Sequence, residues 1–256
     1  MSVELRLPPE DKLIANLMEL AKKESAIALA LDALKTGKFK HPDGRVDHLA
    51  NVRVSLGQAG LLAFLAQECS TYLSVEVGFG MGSTAAIILG TRRLAGKPFA
   101  HVIFDPYGLP DGSGQIVQSY LQSHFPKAFR RVMKSSEIGL GRLIENRGPD
   151  AASLLFIDGG HRFENVMTDF VLADQLCGMG GYIVLDDSLF PAIETVVNYV
   201  KANRPDYAVA HLPVPNCSVL RKVRRDQRPW DAFKPFDVPQ RENWTPSGKA
   251  RATAKG

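Results

Sequence analysis

The chain has 256 residues, 45% of them hydrophobic, and its 31 lysine and arginine residues against 27 aspartate and glutamate residues give a formal net charge of +4. This length and apolar content fit one large α/β domain with an appendage better than two independent domains. No apolar run approaches the ~20 residues of a membrane span, and the first residues lack an export signal, so we expect a cytoplasmic protein. The three cysteines are widely scattered, which argues against a disulfide framework or a zinc cluster.

The N-terminal part predicts a helical cap. Residues 10–34 have a helical apolar pattern between Pro8-Pro9 and Gly37, interrupted at Glu24. This helix fits a homodimer contact or a cap over the sheet, and the pattern leaves both open. A polar, turn-rich stretch follows at 38–47, and the capping box at 55–58 opens a helix through Cys69. We assign residues 1–57 to the cap.

From residue 72 onward, strands and helices are predicted to alternate. The predicted strands are 72–77, 99–104, 128–133, 153–157 and 181–185, and the predicted helices are 83–94, 114–125, 137–146 and 163–176. This alternation predicts a doubly wound, mostly parallel α/β sheet covered on both faces. A helix through Lys201 is followed by two β-like runs at 207–212 and 217–223. The link between them is too short for a crossover connection, so they are predicted to pair antiparallel and to bring the sheet to seven strands.

We therefore assign residues 58–224 to the catalytic domain and 225–256 to a basic, Pro-containing tail. The tail is expected to be partly disordered, over residues 247–256, with aromatic side chains holding its first part. From Arg221 onward there are ten lysine and arginine residues against four acidic ones. The basic character thus belongs to the tail, which weakens a nucleic-acid-binding interpretation based on the overall charge.

A glycine-rich turn follows the first strand of the alternating part. Gly78, Gly80 and Gly82 come directly before a predicted helix that starts at Ser83, and Glu76 precedes them inside the strand. Glycines here permit a tight turn and a close approach of backbone to a ligand. The Gly-x-Gly-x-Gly spacing differs from that of dinucleotide folds, and Glu76 would repel a pyrophosphate but not a cationic ligand.

These residues resemble the first motif of class I S-adenosylmethionine-dependent methyltransferases. The resemblance implies that Glu76 helps to hold the amino-acid end of the cofactor and that the glycines and Ser83 surround it. Asp105, at the end of the next strand, is placed to accept hydrogen bonds from the ribose hydroxyls. The same resemblance places Ser136 and Glu137 near adenine, although a helix cap explains them equally well.

Two strand ends carry acidic side chains and a histidine. Asp158 and His161 follow the strand at 153–157, whereas Asp186 and Asp187 follow the strand at 181–185. If these strands are neighbours in one parallel sheet, the four side chains meet in the crevice at its carboxyl edge. Oxygen ligands of this kind suit Mg²⁺ or another divalent cation. An imidazole titrates close to neutral pH and can accept a proton, so Asp158 and His161 are the candidate catalytic residues.

Residues 105–110 also resemble a segment of macrolide-sugar O-methyltransferases, one residue shorter here. Those enzymes and the catechol O-methyltransferases hold a divalent cation with carboxylates that match Asp158, Asp186 and Asp187, and Asp158 also borders the cofactor in that resemblance. The resemblance covers residues 55–223. It implies a Mg²⁺-dependent O-methyltransferase that acts on a hydroxyl of a small molecule, such as a sugar or vicinal diol of a natural product.

Three alternatives remain from the sequence. One is a methyltransferase that needs no metal, in which the aspartates act as base and hydrogen-bond acceptor. The second is a nucleic-acid-binding protein that uses the basic cluster around residues 221–228. The third, a nicotinamide-dependent oxidoreductase, is disfavoured by the glycine spacing and by Glu76.

Overall fold

The computed structural model describes residues 5–40, 43–48, 53–106 and 113–240, and the statements below concern these ranges. Its N-terminal segment forms two helices, α1 (Glu10–Ala21) and α2 (Ser25–Thr36), so the prediction of one helix over 10–34 is wrong. Glu24 breaks the helix with an extended backbone, and its carboxylate accepts a hydrogen bond from the Ala26 N–H at 3.1 Å. The same carboxylate pairs with Arg93, which lies 69 residues away.

A small hairpin and a capped helix follow. β1 (Lys38–Lys40) and β2 (Val46–His48) pair antiparallel where the sequence predicted only turns. α3 (Leu56–Glu68) begins with the predicted capping box, in which the Ser55 and Gln58 side chains each accept a backbone hydrogen bond from the other residue. Among the residues described, we find no helix with the length and apolarity needed to cross a membrane.

The remaining elements alternate as the sequence predicts. In chain order they are β3 (Leu73–Val77), α4 (Ser83–Leu94), β4 (Ala100–Phe104), α5 (Ser113–His124), β5 (Phe129–Val132), α6 (Ser136–Arg147), β6 (Ala152–Ile157), α7 (Phe163–Leu176), β7 (Cys177–Asp186), α8 (Pro191–Asn203), β8 (Tyr207–Val214) and β9 (Cys217–Lys222). The sheet order is β5-β4-β3-β6-β7-β9-β8. The first five strands in this order are parallel, and β9 pairs antiparallel with both β7 and β8. The predicted fold class is confirmed.

Hydrophobic clusters cover both faces of the sheet. On one face, Leu13, Leu17 and Ile27 of the N-terminal helices join Leu61 of α3 and Ile87 of α4 in a single cluster. The other face packs against α6, α7 and α8. The central strands β3 and β6 are buried along their whole length, as expected for parallel strands covered on both sides. Their carboxyl ends therefore meet at a fixed edge.

The segment after β9 runs along α8 without regular structure. Asn203 accepts a hydrogen bond from the Lys234 N–H at 2.6 Å and donates one to the Lys234 carbonyl at 2.9 Å. Phe236 contacts Tyr199, whereas Trp230 is 97% exposed. Some of the predicted aromatic contacts thus form, and the disorder predicted for 247–256 lies outside the described residues.

Candidate active site

The glycine turn brings β3 close to the end of β6. Gly78 has a φ of 89°, and a Cβ atom on it would lie 1.9 Å from the Asp158 carbonyl oxygen. Gly82 has a φ of 70°, and a Cβ there would lie 2.6 Å from the Phe79 ring. An L side chain at either position meets both an unfavourable backbone conformation and a neighbour, so glycine is required.

Glu76 lies beneath this turn and is buried. Its carboxylate accepts a hydrogen bond from the Thr84 hydroxyl, and the His101 Nε2 lies 2.8 Å from its second oxygen. His101 in turn bonds the Ser74 hydroxyl through Nδ1 at 2.9 Å. Glu76 therefore fixes β3 to β4 and α4 and contributes negative charge below the turn.

A cavity of about 650 Å³ opens in front of the turn, between the ends of β3, β4 and β6 and the start of α6. Its lining contains six of the residues predicted to bind the cofactor: Gly78, Gly80, Asp105, Ser136, Glu137 and Asp158. Glu76, Gly82 and Ser83 lie outside this lining. The buried Ser83 hydroxyl has no hydrogen-bond partner among the described residues.

Three polar lining residues come from the region of α7: Arg162, Asn165 and Asp169. None of these three residues was singled out from the sequence. Burial raises the pKa of Asp169 to about 6, although a hydrogen bond from Ser136 lowers this pKa in part. The available signal for Arg162 was its place between the end of β6 and the start of α7, whereas Asn165 and Asp169 lie inside α7.

Asp105 is held in place by its neighbours. Its Oδ2 accepts hydrogen bonds from the Phe79 N–H at 3.2 Å and from Arg131 Nη2 at 3.1 Å. The Arg131 guanidinium also lies over the Phe79 ring, 4.5 Å from the ring centre. Asp105 thus joins the glycine turn to β5. Most of the resembling segment after it, residues 107–110, lies outside the described residues.

Asp158, His161 and Asp187 converge at the edge of this cavity. Each of the three offers one ligand atom, and these atoms lie within 4.8 Å of one another. The His161 Nε2 lies 2.9 Å from Asp187 Oδ2, and its ring contacts the Phe190 ring with centres 4.6 Å apart. Asp158 and His161 also line a small recess with Asp186, which places all four predicted side chains in one region.

Two side-chain amides hold Asp186, the last residue of β7, and Asp187, which follows it. Gln58 of α3 donates from its amide to the buried Asp186 Oδ1, so Asp186 is engaged by a residue 128 positions away. Asn216 donates from its amide to Asp187 Oδ1 at 2.6 Å and accepts from the Leu189 N–H at 3.1 Å. Asp187 itself has a φ of 51°, a conformation that such contacts stabilise.

The charges of this group are unevenly stabilised. Burial, followed by the negative charges of Asp187 and Glu76, raises the pKa of Asp158 from 3.8 to about 7. Burial and the charges of Asp158 and Asp187 also raise the pKa of Asp186. The hydrogen bond that His161 donates to Asp187 raises the pKa of His161. For Asp187, burial is outweighed by the hydrogen bonds from His161 and Asn216, which lower its pKa.

This donor set fits a divalent cation. Carboxylate oxygens are the ligands that Mg²⁺ prefers, and the crowded acidic groups repel one another when ionised. A cation at this position would relieve the repulsion that raises the pKa of Asp158 and Asp186. Asp158 and Asp187 each offer a carboxylate oxygen at this position, and His161 offers a ring nitrogen.

Comparison with known proteins agrees with this fold. Residues 75–188 match the family model described as a methyltransferase domain. An uncharacterised protein, R132, of Acanthamoeba polyphaga mimivirus is 34% identical over 22% of this chain, and the matched part spans 29% of that protein.

Solved structures of similar fold include methyltransferases. The S-adenosylhomocysteine-bound methyltransferase PaMTH1 of Podospora anserina has a TM-score of 0.57 and 14% identity, with 87% of this chain and 100% of that one covered. CalS11, a TDP-rhamnose 3'-O-methyltransferase of calicheamicin biosynthesis, has a TM-score of 0.55 and 13% identity, covering 85% and 96%. At such identities these likenesses establish the fold.

The seven-stranded sheet, the glycine turn with its cavity and the matched domain define a class I methyltransferase fold. Residues 75–188, which form the centre of this fold, match a methyltransferase domain.

Proposed function

We propose that this protein is a divalent-metal-assisted O-methyltransferase that transfers the methyl group of S-adenosylmethionine to a hydroxyl of a small molecule. The observation that carries the proposal is the convergence of Asp158, His161 and Asp187 beside the cavity in front of the glycine turn. An acceptor hydroxyl placed between this group and the cofactor sulfonium would lie at the point of transfer.

In this proposal the cavity binds the cofactor along its length. The glycine turn packs against the amino-acid end, and Glu76 supplies negative charge beneath it without direct contact. Asp105 accepts hydrogen bonds from the ribose hydroxyls, because its carboxylate is held towards the cavity by the Phe79 N–H. Ser136 and Glu137 border the adenine end at the start of α6.

Transfer requires an oxygen nucleophile, and an alkyl hydroxyl is too weakly acidic to supply one unaided. Asp158, Asp187 and Asp186 would hold a divalent cation, which when bound orients the acceptor oxygen and lowers the pKa of its hydroxyl. His161 takes the hydroxyl proton. Its Nε2 is oriented by Asp187, which leaves Nδ1 to accept the proton. The acceptor oxygen then bonds the methyl carbon as the carbon–sulfur bond breaks, and S-adenosylhomocysteine leaves.

A second candidate is a methyltransferase that needs no metal. It is favoured by the contacts of Asp187, whose two oxygens are already engaged by His161 and Asn216. In that case the His161–Asp187 pair alone would remove the hydroxyl proton.

The acceptor class is a sugar or vicinal diol, of the kind found in natural products. The small-molecule class is supported by the sugar substrate in the description of CalS11, and adjacent oxygens would suit a shared cation. The cytoplasmic location, the homodimer and the division into cap, catalytic domain and tail stay predictions.

The test is a transfer assay with radiolabelled S-adenosylmethionine and a panel of sugars and catechols, with excess EDTA, Mg²⁺ or Mn²⁺. We expect transfer that is abolished by EDTA and restored by metal. Asp187→Asn should lose turnover and keep S-adenosylhomocysteine binding, because Asp187 does not line the cofactor cavity. Full transfer in excess EDTA would favour the metal-independent candidate.

A further inference from the structure

A second large concavity lies at the outer end of the sheet, away from the acidic group. It is a groove of about 740 Å³ between β4, β5 and α6. Its floor is apolar: Ala100 and Val102 of β4 and Val132 of β5 face it and remain half-buried. Tyr72, at one end of the groove, is 48% exposed. The sheet thus presents an open apolar floor here.

The sides of the groove carry only positive charge. The lining contains no aspartate or glutamate. It contains five exposed cations: Lys127, Arg130, Lys134, Arg142 and Arg147. Within the described part of the chain, no carboxylate forms an ion pair with any of the five. Their charges are therefore uncompensated and available to an anionic ligand.

The positive charge of this groove contrasts with the net negative charge of the rest of residues 1–220. Residues 1–220 contain 21 lysine and arginine residues against 23 acidic ones, a balance of −2. Without the five groove cations the balance of the same residues is −7. A cationic groove in an otherwise acidic region has a definite binding preference, whereas a uniformly basic surface would have none.

The length of the charged row selects the ligand. Within the segment from Lys127 to Lys134, only Phe129–Val132 is extended, and at about 3.3 Å per residue this strand spans roughly 10 Å. A stacked nucleic-acid strand carries one phosphate per about 3.4 Å, so this strand matches roughly three consecutive phosphates, and the cations in the flanking turns and in α6 extend the charged surface beyond it. Single-strand binding sites combine such a charged row with an apolar or aromatic surface for the bases, and Val102, Val132 and Tyr72 provide one.

We propose that the groove defined by Lys127, Arg130, Lys134, Arg142 and Arg147 binds single-stranded nucleic acid through its phosphates. This site does not depend on methyl transfer. Phe104 lies between the groove and the cofactor cavity, but none of the five cations lines that cavity. Changes to the cations should therefore leave cofactor binding intact.

The test measures the fluorescence anisotropy of a labelled, mixed-sequence RNA of about twelve nucleotides with the full-length protein. We expect binding whose logarithm falls with the logarithm of salt concentration at a slope of about −3.5, or roughly hundredfold between 50 and 200 mM salt. Arg130→Glu with Arg142→Glu should weaken binding at least tenfold and lower the slope to about −2, since two of five contacts are lost.

A matched control changes the same number of charges elsewhere. Arg224→Glu with Arg225→Glu alters the exposed cluster that follows β9 and should reduce binding less than twofold. Titration with S-adenosylhomocysteine should give the same affinity for both variants and the parent, which shows that the fold is intact. ATP and poly-glutamate serve as competitors and should displace the RNA only at much higher concentration than unlabelled RNA.

The proposal is overturned if no RNA binds at 50 mM salt, or if the control variant loses binding while the groove variant retains it. Displacement by ATP at the concentration of unlabelled RNA would identify a nucleotide site instead. Equally efficient displacement by poly-glutamate would identify a docking site for an acidic peptide, and it would also overturn the proposal.

Discussion

Replacing Gly78 with alanine tests the close contact on which the site is built. Gly78→Ala would put a Cβ atom 1.9 Å from the Asp158 carbonyl oxygen, so β3 and β6 would have to separate by more than 1 Å. The Gly78 N–H donates to the Phe104 carbonyl at 2.9 Å, and the Asp158 N–H donates to the Val77 carbonyl at 2.9 Å. These bonds hold the strands at that point.

The cost can be estimated from three contributions. Alanine at a φ of 89° costs about 1–2 kcal/mol, overpacking costs about 1–3 kcal/mol, and one weakened hydrogen bond costs about 1 kcal/mol. The free energy of unfolding should fall by roughly 3–6 kcal/mol, which lowers Tm by roughly 6–24 °C in a chain of this size. Methyl transfer should fall as well, because Asp158 moves with the strand end.

Thermal unfolding followed by circular dichroism measures the effect, with Gly141→Ala as the control. Gly141 lies inside α6 with no atom within 4 Å of an added Cβ, so alanine there should stabilise the protein by about 0.5–1 kcal/mol. The reasoning is refuted if Gly78→Ala unfolds within about 2 °C of the parent.

Three further substitutions test the charges and supports around the site. The first is Asp158→Asn, measured in EDTA. The folded chain holds the Asp158 proton more tightly than the unfolded chain, so the stability that Asp158 contributes is fully present below pH ~4 and is lost as the pH rises through about 7. In urea unfolding at pH 8, the variant should be more stable than the parent by up to about 4 kcal/mol, which is an upper bound because Asp158 faces the open cavity. Equal stability of variant and parent at both pH 4 and pH 8 would contradict this. The second is Glu24→Ala, which removes a helix cap and a buried ion-pair partner and should lower the free energy of unfolding by about 2–3 kcal/mol. Glu19→Ala, in an exposed ion pair, should lower it much less, and similar losses in the two variants would show that the break between α1 and α2 does not need Glu24. The third is Asn216→Gly, which keeps the left-handed turn but removes the hydrogen bond that supports Asp187. Calorimetry should show Mn²⁺ binding weakened about 10–100-fold and S-adenosylhomocysteine binding unchanged. An unchanged Mn²⁺ affinity would show that Asp187 does not need this support.

The sheet could be predicted because each of its strands carries a local signal. β3 and β6 are short apolar runs that end in glycine and aspartate, and α3 opens with a local capping box. The break between α1 and α2 had no comparable signal. Glu24 interrupts the apolar pattern, but the break is stabilised in part by Arg93 in α4, a partner that the sequence does not identify.

The acidic group could be predicted in the same way, since parallel strands end at one edge of the sheet. The residues that hold its aspartates in place could not be predicted. Gln58 was recognised only as part of a capping box, and Asn216 only as part of a short link between strands. Both reach the aspartates through contacts between distant parts of the chain, which neither spacing nor periodicity encodes. The cationic groove was missed for a related reason, because its five residues are divided between β5, α6 and their flanking turns.

The central claim is that the acidic group binds a divalent cation used in methyl transfer. Calorimetric titration of Mn²⁺ into the protein saturated with S-adenosylhomocysteine tests it most directly. The account predicts one ion per chain in the parent and no measurable binding in the Asp186→Asn, Asp187→Asn double variant, with S-adenosylhomocysteine affinity retained because neither residue lines the cofactor cavity. Equal Mn²⁺ binding by the parent and the double variant, or no binding by the parent, would contradict it.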